Sequence, residues 1–240
     1  MSVPLYLEDA YRVEAGGVVT ALTEEGGIVL DRTLFYPRAG GQPGDSGRLD
    51  WAGGSLAIGT TVKGQGDDIV LVPAEPSRLP APGTPVTQRI DRARRRAHMR
   101  MHTALHLLSV VIPRPVTGGQ IGADKSRLDF DMDAPPKDRE AVQAALDDLV
   151  ARDLPVTAEW ITETALAAAP QLVKTLRVKP PRGAGRIRLV RIGEGEAMVD
   201  LQPCGGTHVA RTGEIGALRL GKIEKKGREN RRVYLHLGNG

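Results

Sequence analysis

Four side chains of this sequence have the types and spacing to hold a metal ion. His102 and His106 lie four residues apart, and Cys204 and His208 lie four apart across the segment Cys204-Gly205-Gly206-Thr207-His208. Two imidazoles at i and i+4 on a helix project side by side over adjacent turns and can grip one ion. His98 extends the same row. With five histidines in the chain such a pair arises by chance often enough to be weak alone, and equally suits histidines bonded along a helix edge. The second half strengthens it. The chain's single cysteine stands beside two glycines, which let the backbone fold back so that thiolate and imidazole converge. Three imidazole nitrogens and one thiolate match a tetrahedral Zn²⁺ site. A buried apolar role for Cys204 fits poorly with so polar and glycine-rich a setting.

Elements must position these groups. Met101, Leu105, Leu108 and Ile112 form an apolar stripe that predicts a helix over 92–112, ended by Pro113. A second helix is predicted over 137–152, after Pro135-Pro136, with Val142, Leu146, Leu149 and Val150 on one face, and a short one over 163–169. Extended patterns follow at 156–161, 186–192, 197–203, 215–223 and 231–237. Helices followed by a run of strands predict an α+β unit with a mostly antiparallel sheet. Before residue 72 the reading is of short strands, at 18–22, 27–36 and 55–62, split by glycine pairs at the spacing of a small barrel or sandwich. Five prolines within 72–85 predict a linker, so the expected domains are residues 1–85, glycine-rich and β, and residues 86–240, metal-binding.

Bulk properties narrow the class. An apolar content of 40% supports packed cores, and 3% aromatics require them to be aliphatic. The N-terminus lacks a basic region followed by an apolar run, and no stretch approaches the roughly 18 apolar residues of a membrane span, so neither secretion nor membrane residence is expected. One cysteine excludes an internal disulfide and fits a reducing, cytoplasmic setting. A net charge of +4 permits a nucleic-acid partner. Arg89, Arg92, Arg94, Arg95, Arg96 and Arg100 precede and enter the metal helix, and Lys222, Lys225, Lys226, Arg228, Arg231 and Arg232 follow the cysteine loop; these are candidate phosphate contacts, partly offset by Asp91, Glu224 and Glu229. Few aromatics are available to stack on bases, so shape and backbone recognition are expected over single-strand readout.

The segments HTALH (102–106) and CGGTH (204–208) resemble the editing domain of alanyl-tRNA synthetases and its freestanding AlaX-type relatives. RTLFYPRAGGQPGDSG (32–47), GGQIGADKSRLDF (118–130), VDLQPCGGTHV (199–209) and TGEIGALRLGKIEKKGRENRRV (212–233) are similar to the same family, in order, across nearly the whole chain. The resemblance implies a small N-terminal β-barrel followed by an α/β-sandwich editing domain. It also implies zinc on His102, His106, Cys204 and His208 but not His98, and hydrolysis in trans of serine, sometimes glycine, from tRNA for alanine. A four-ligand site leaves two roles open for the metal: one ligand, with His208 foremost, gives way to water or substrate, or the metal organises the pocket. Serine selection needs a group for the hydroxyl; Thr103 and Gln120 are candidates, Thr207 a weaker one, and Asp200 could orient a ligand histidine. Thr103 also suits a plain backbone bond, and Asp200 a solvated strand end. Gly40-Gly41-Gln42 is read as a rigid turn or a loop meeting tRNA, along with Arg95, Arg96, Lys225, Lys226 and Arg231. The expected partner is mischarged tRNA, not DNA or a membrane, and the expected state a monomer or weak homo-oligomer. Two alternatives remain: an editing module for another tRNA, such as threonine, and a zinc-stabilised RNA-binding protein without catalysis.

Overall fold

The computed structural model describes residues 2–175 and 185–238. The chain divides into two compact units, Met1–His98 and Met99–Gly240.

The first unit is a closed six-stranded antiparallel barrel. Its strands are β1 (Glu14–Leu22), β2 (Ile28–Leu30), β3 (Gly47–Trp51), β4 (Gly54–Lys63), β5 (Ile69–Pro73) and β6 (Pro85–Ile90), closing in the order β1-β2-β5-β4-β3-β6. Inward-facing Val19, Ile28, Leu30, Leu49, Ile58 and Leu71 fill the interior. A barrel has no unpaired edges, which suits strands this short. The apolar run at 27–36 is not one strand. It ends at Leu30, then Arg32–Thr33 pairs in parallel with Val3–Pro4, and Leu34, Phe35 and Tyr36 are buried without a ladder. The proline-rich stretch 72–85 joins β5 to β6 within the barrel, with Pro85 at the first position of its strand, where proline is tolerated.

Gly40 and Gly41 form the two central residues of a tight turn. Their φ values are 56° and 83°, and Ala39 and Gln42 exchange both backbone hydrogen bonds across it (3.1 and 2.8 Å). Positive φ at both positions is the glycine-favouring hairpin geometry. Asp45, at the end of this segment, accepts from the Tyr36 amide and forms a buried ion pair with Arg95.

The second unit begins within helix α1 (Arg92–Val111) and adds β7 (Val116–Gln120), β8 (Lys125–Asp131), α2 (Arg139–Ala151), β9 (Val156–Thr162), α3 (Glu163–Ala167), β10 (Arg186–Ile192), β11 (Asp200–Pro203), β12 (Leu218–Gly227) and β13 (Asn230–Leu237). Two antiparallel sheets result, ordered β12-β13-β8-β7 and β9-β10-β11. The fold is therefore α+β. Met101, Leu105, Leu108 and Ile112 are all buried, as their spacing predicts. Asp138 caps α2 by accepting from the Ala141 amide, and Gln143 on α2 bonds the backbone of β12 at Leu218 and Leu220. Strands β7 and β8 are additions to the sequence reading, since glycines at 118 and 119 mask the alternation.

Candidate metal centre

Helix α1 presents His102 and His106 from adjacent turns, and β11 runs into the loop that carries Cys204 and His208. One donor atom from each of the four lies within 4.8 Å of every other. The Cys204 Sγ is 3.5 Å from His102 Nε2 and 3.3 Å from His208 Nε2. With Zn–N near 2.0–2.1 Å and Zn–S near 2.3 Å, a tetrahedral centre sets these atoms about 3.5 Å apart. The donor set therefore fits a metal ion. His98, although in line on the helix and buried, is not part of the group.

Two of the three imidazole rings are held through their far nitrogens. His106 Nδ1 lies 2.8 Å from Asp200 Oδ2, so its Nδ1–H donates to the carboxylate and Nε2 is left as the donor to a metal. Asp200 is itself buried; Lys174 Nζ donates to its other oxygen (2.5 Å) and the Gln202 amide nitrogen to Oδ2 (2.8 Å). His208 Nδ1 lies 3.1 Å from Thr103 Oγ1. That hydroxyl donates to the Met99 carbonyl (2.9 Å) and accepts from the Val209 amide (3.3 Å), so its remaining lone pair receives the His208 N–H. Thr103 is thus fully engaged in orienting His208.

The loop is fixed as well. Arg188 Nη1 donates to the carbonyls of Cys204 (2.9 Å) and Gly206 (3.0 Å), while its own carbonyl accepts from the Cys204 amide (3.1 Å). The Gly206 amide points at the Cys204 sulfur (3.4 Å).

Electrostatics prepare the donors. Burial alone would raise the Cys204 thiol, but His102 and His208 beside it outweigh burial and hold it well below the ordinary thiol range. Burial, with His102 alongside, pushes His208 down to about 3, so this ring is neutral. Burial disfavours charge on His106, yet Asp200 and Cys204 prevail and raise it to about 9. Asp200 is opposed by burial but held down to about 2 by His106 and Lys174. Metal binding must then displace a proton from His106.

The remaining expected site residues fall outside this cluster. Gln120 is exposed on β7, its amide oxygen accepting from Arg127 (3.4 Å). Thr207 is buried in the loop. Arg95, expected on an RNA surface, is only 2% exposed and is spent on Asp45 and on the Leu34 (2.6 Å) and Ala10 (2.8 Å) carbonyls. Arg231, 8% exposed, is likewise spent on the carbonyls of Asp133, Gly227 and Asn230. Both correct the expectation of phosphate contact, because a guanidinium saturated indoors cannot reach solvent. Gln42 is buried beneath its turn, whereas Gly40, Gly41, Arg96, Lys225 and Lys226 are exposed. Sequence reading gave no role to Gln202, Lys174 or Arg188. The alternation 200, 202, 204 along one strand face was the available signal for Gln202; Lys174 and Arg188 carry no motif.

The comparisons with known proteins agree with this architecture. A family model described as threonyl and alanyl tRNA synthetase second additional domain matches residues 187–234, which carry the cysteine loop. One described as tRNA synthetases class II (A) matches residues 14–94. The alanyl-tRNA editing protein AlaX-M of Methanosarcina acetivorans is 34% identical over 247 residues, covering 99% of each chain. That of Methanosarcina barkeri is 36% identical over 246 residues, again 99% of each. The alanine–tRNA ligase of Caldivirga maquilingensis is 36% identical over 230 residues, 92% of this chain and 25% of the ligase. The chain belongs to the family of alanyl-tRNA editing proteins.

Proposed function

We propose that this protein is a trans-editing deacylase that hydrolyses the ester joining serine, or glycine, to tRNA for alanine, with Zn²⁺ held by His102, His106, Cys204 and His208. The observation that carries this reading is a half-buried cysteine and three converging imidazoles in a chain that matches AlaX-M proteins end to end. When bound, Zn²⁺ supplies a Lewis acid next to the ester. Asp200 and Thr103 keep two ligand rings in the tautomer that offers Nε2, and Arg188 keeps the cysteine loop closed on them. Gln120 stays the proposed reader of the serine hydroxyl, because the Thr103 hydroxyl has no bond to spare.

The units Met1–His98 and Met99–Gly240 divide the labour in this reading. The barrel, with its exposed Gly40-Gly41 turn, helps receive the RNA, and the α+β unit carries the deacylase site. Exposed Arg96, Lys225 and Lys226 supply phosphate contacts. No described helix is long and apolar enough to cross a membrane, and a cytoplasmic setting is proposed with the function.

The test is incubation with seryl-tRNA for alanine, and with alanyl-tRNA as control. The serine ester should be released and the alanine ester spared. Absence of release at physiological salt would reject the enzyme in favour of a non-catalytic RNA-binding protein. Cys204→Ala should abolish both release and bound zinc.

A further inference from the structure

Trp160 is 46% exposed, the most exposed large apolar side chain described in the second unit. It stands on β9, an edge strand among the described residues, directly opposite Arg188 of β10. Residues opposite one another in an antiparallel ladder project from the same face, and so do alternate residues along a strand. On the next ladder Val190 opposes Gln202 and Ile192 opposes Asp200. The face that bears Asp200 and Gln202 behind the metal cluster therefore also bears Arg188, Arg186 and Trp160.

Arg188 links the two ends of this row. Its guanidinium grips the Cys204 and Gly206 carbonyls, and its neighbour in register is Trp160. With strands about 4.8 Å apart, two spacings, or about 10 Å, separate the Trp160 backbone from that of Cys204. The Arg186 guanidinium lies over the indole, 5.8 Å from the ring centroid. An exposed π-surface beside a cation is the pairing that binds unpaired nucleotides, by stacking on the base and attraction to its phosphate.

We propose that Trp160, with Arg186, is a stacking platform for an unpaired base at the amino-acid-bearing end of the RNA, setting the esterified nucleotide against the Cys204 loop. The proposal rests on the deacylase reading above. It departs from the expectation of shape recognition alone: few aromatics suffice when one stands on the site's own face.

The chain has two tryptophans, so a Trp51→Phe background leaves Trp160 as the only indole. Titrating that protein with a short single-stranded RNA should quench its fluorescence, and a blunt RNA duplex should quench it less. Trp160→Ala should weaken single-strand binding roughly 5- to 100-fold and raise KM for the charged tRNA. Its zinc content and kcat should stay near wild type, and Trp160→Phe should restore most of the binding. Unchanged RNA affinity in Trp160→Ala would overturn the platform, as would loss of self-association with RNA binding intact, which would make β9 a contact between copies. The two readings fail separately. Normal release of serine at wild-type KM by Trp160→Ala sinks the platform alone, whereas quenching by single-stranded RNA with no release by the parent sinks the deacylase and supports the platform.

Discussion

At the scale of single residues, the candidate centre depends on the groups behind the ligands as much as on the ligands. Asp200 and Thr103 each fix one imidazole through its far nitrogen. Groups in this position typically govern affinity by a factor of 10–100. Asp200→Ala and Thr103→Val should each weaken zinc binding by roughly that factor in a competition with a chromophoric chelator, while Thr103→Ser, which keeps the hydroxyl, should stay near wild type. Equal affinity across all three would mean that the rings are held by packing alone. The four candidate ligands were legible as a group because residue type and spacing speak directly to metal chemistry. The supports were less so. Asp200 reads from sequence as an orienting carboxylate or a solvated strand end, and Thr103 as a substrate contact or a helix residue bonding its own backbone; a sequence cannot show that Met99, Val209 and His208 all use the Thr103 hydroxyl. Lys174 and Arg188 reach the site from elements joined to it only by folding.

Among the elements, the four-stranded sheet is tied across β8 and β13 by Asp129, which stands directly opposite Arg232 and receives two of its N–H groups (2.8 and 2.9 Å). Partial burial pushes the Asp129 carboxyl up, but hydrogen bonds from Arg232 and Arg127 outweigh it and hold the group below its ordinary value of 3.8. A folded value below the unfolded one adds stability that is complete above about pH 4 and fades as acid protonates the folded carboxylate. Asp129→Asn should cost about 0.5–1 kcal/mol at pH 6, read from the urea midpoint. The gap from wild type should narrow below pH 3.8, and a gap that stays constant with pH would exclude the ion pair as its cause. These strands also show where sequence reading stops. Helices α1 and α2 were legible from apolar stripes and flanking prolines. By contrast β3, β6, β7 and β8 were not, because glycine and charge interrupt their alternation and only the neighbouring strand supplies the pairing that makes them strands.

Across the whole molecule, the two units have different sources of order. In Met1–His98, the barrel core is joined to the opening turn of α1 by the buried pair of Asp45 and Arg95. Both side chains are almost wholly inaccessible, and removing one would strand the other's charge. Asp45→Ala should lower stability by about 3–5 kcal/mol in denaturant unfolding. A loss under 1 kcal/mol would mean that the pair is not desolvated in solution. The division between units falls inside α1, between His98 and Met99. A helix interior offers no extended chain for a protease to grip, so limited digestion has no natural cut there. A gene fragment opening at residue 99 would begin instead with a frayed end: the first four N–H groups of any helix lack acceptors within it, and here they would belong to residues 99–102. The last of these is His102, so a chain shortened to its second unit would need a new cap before it could present the first candidate ligand.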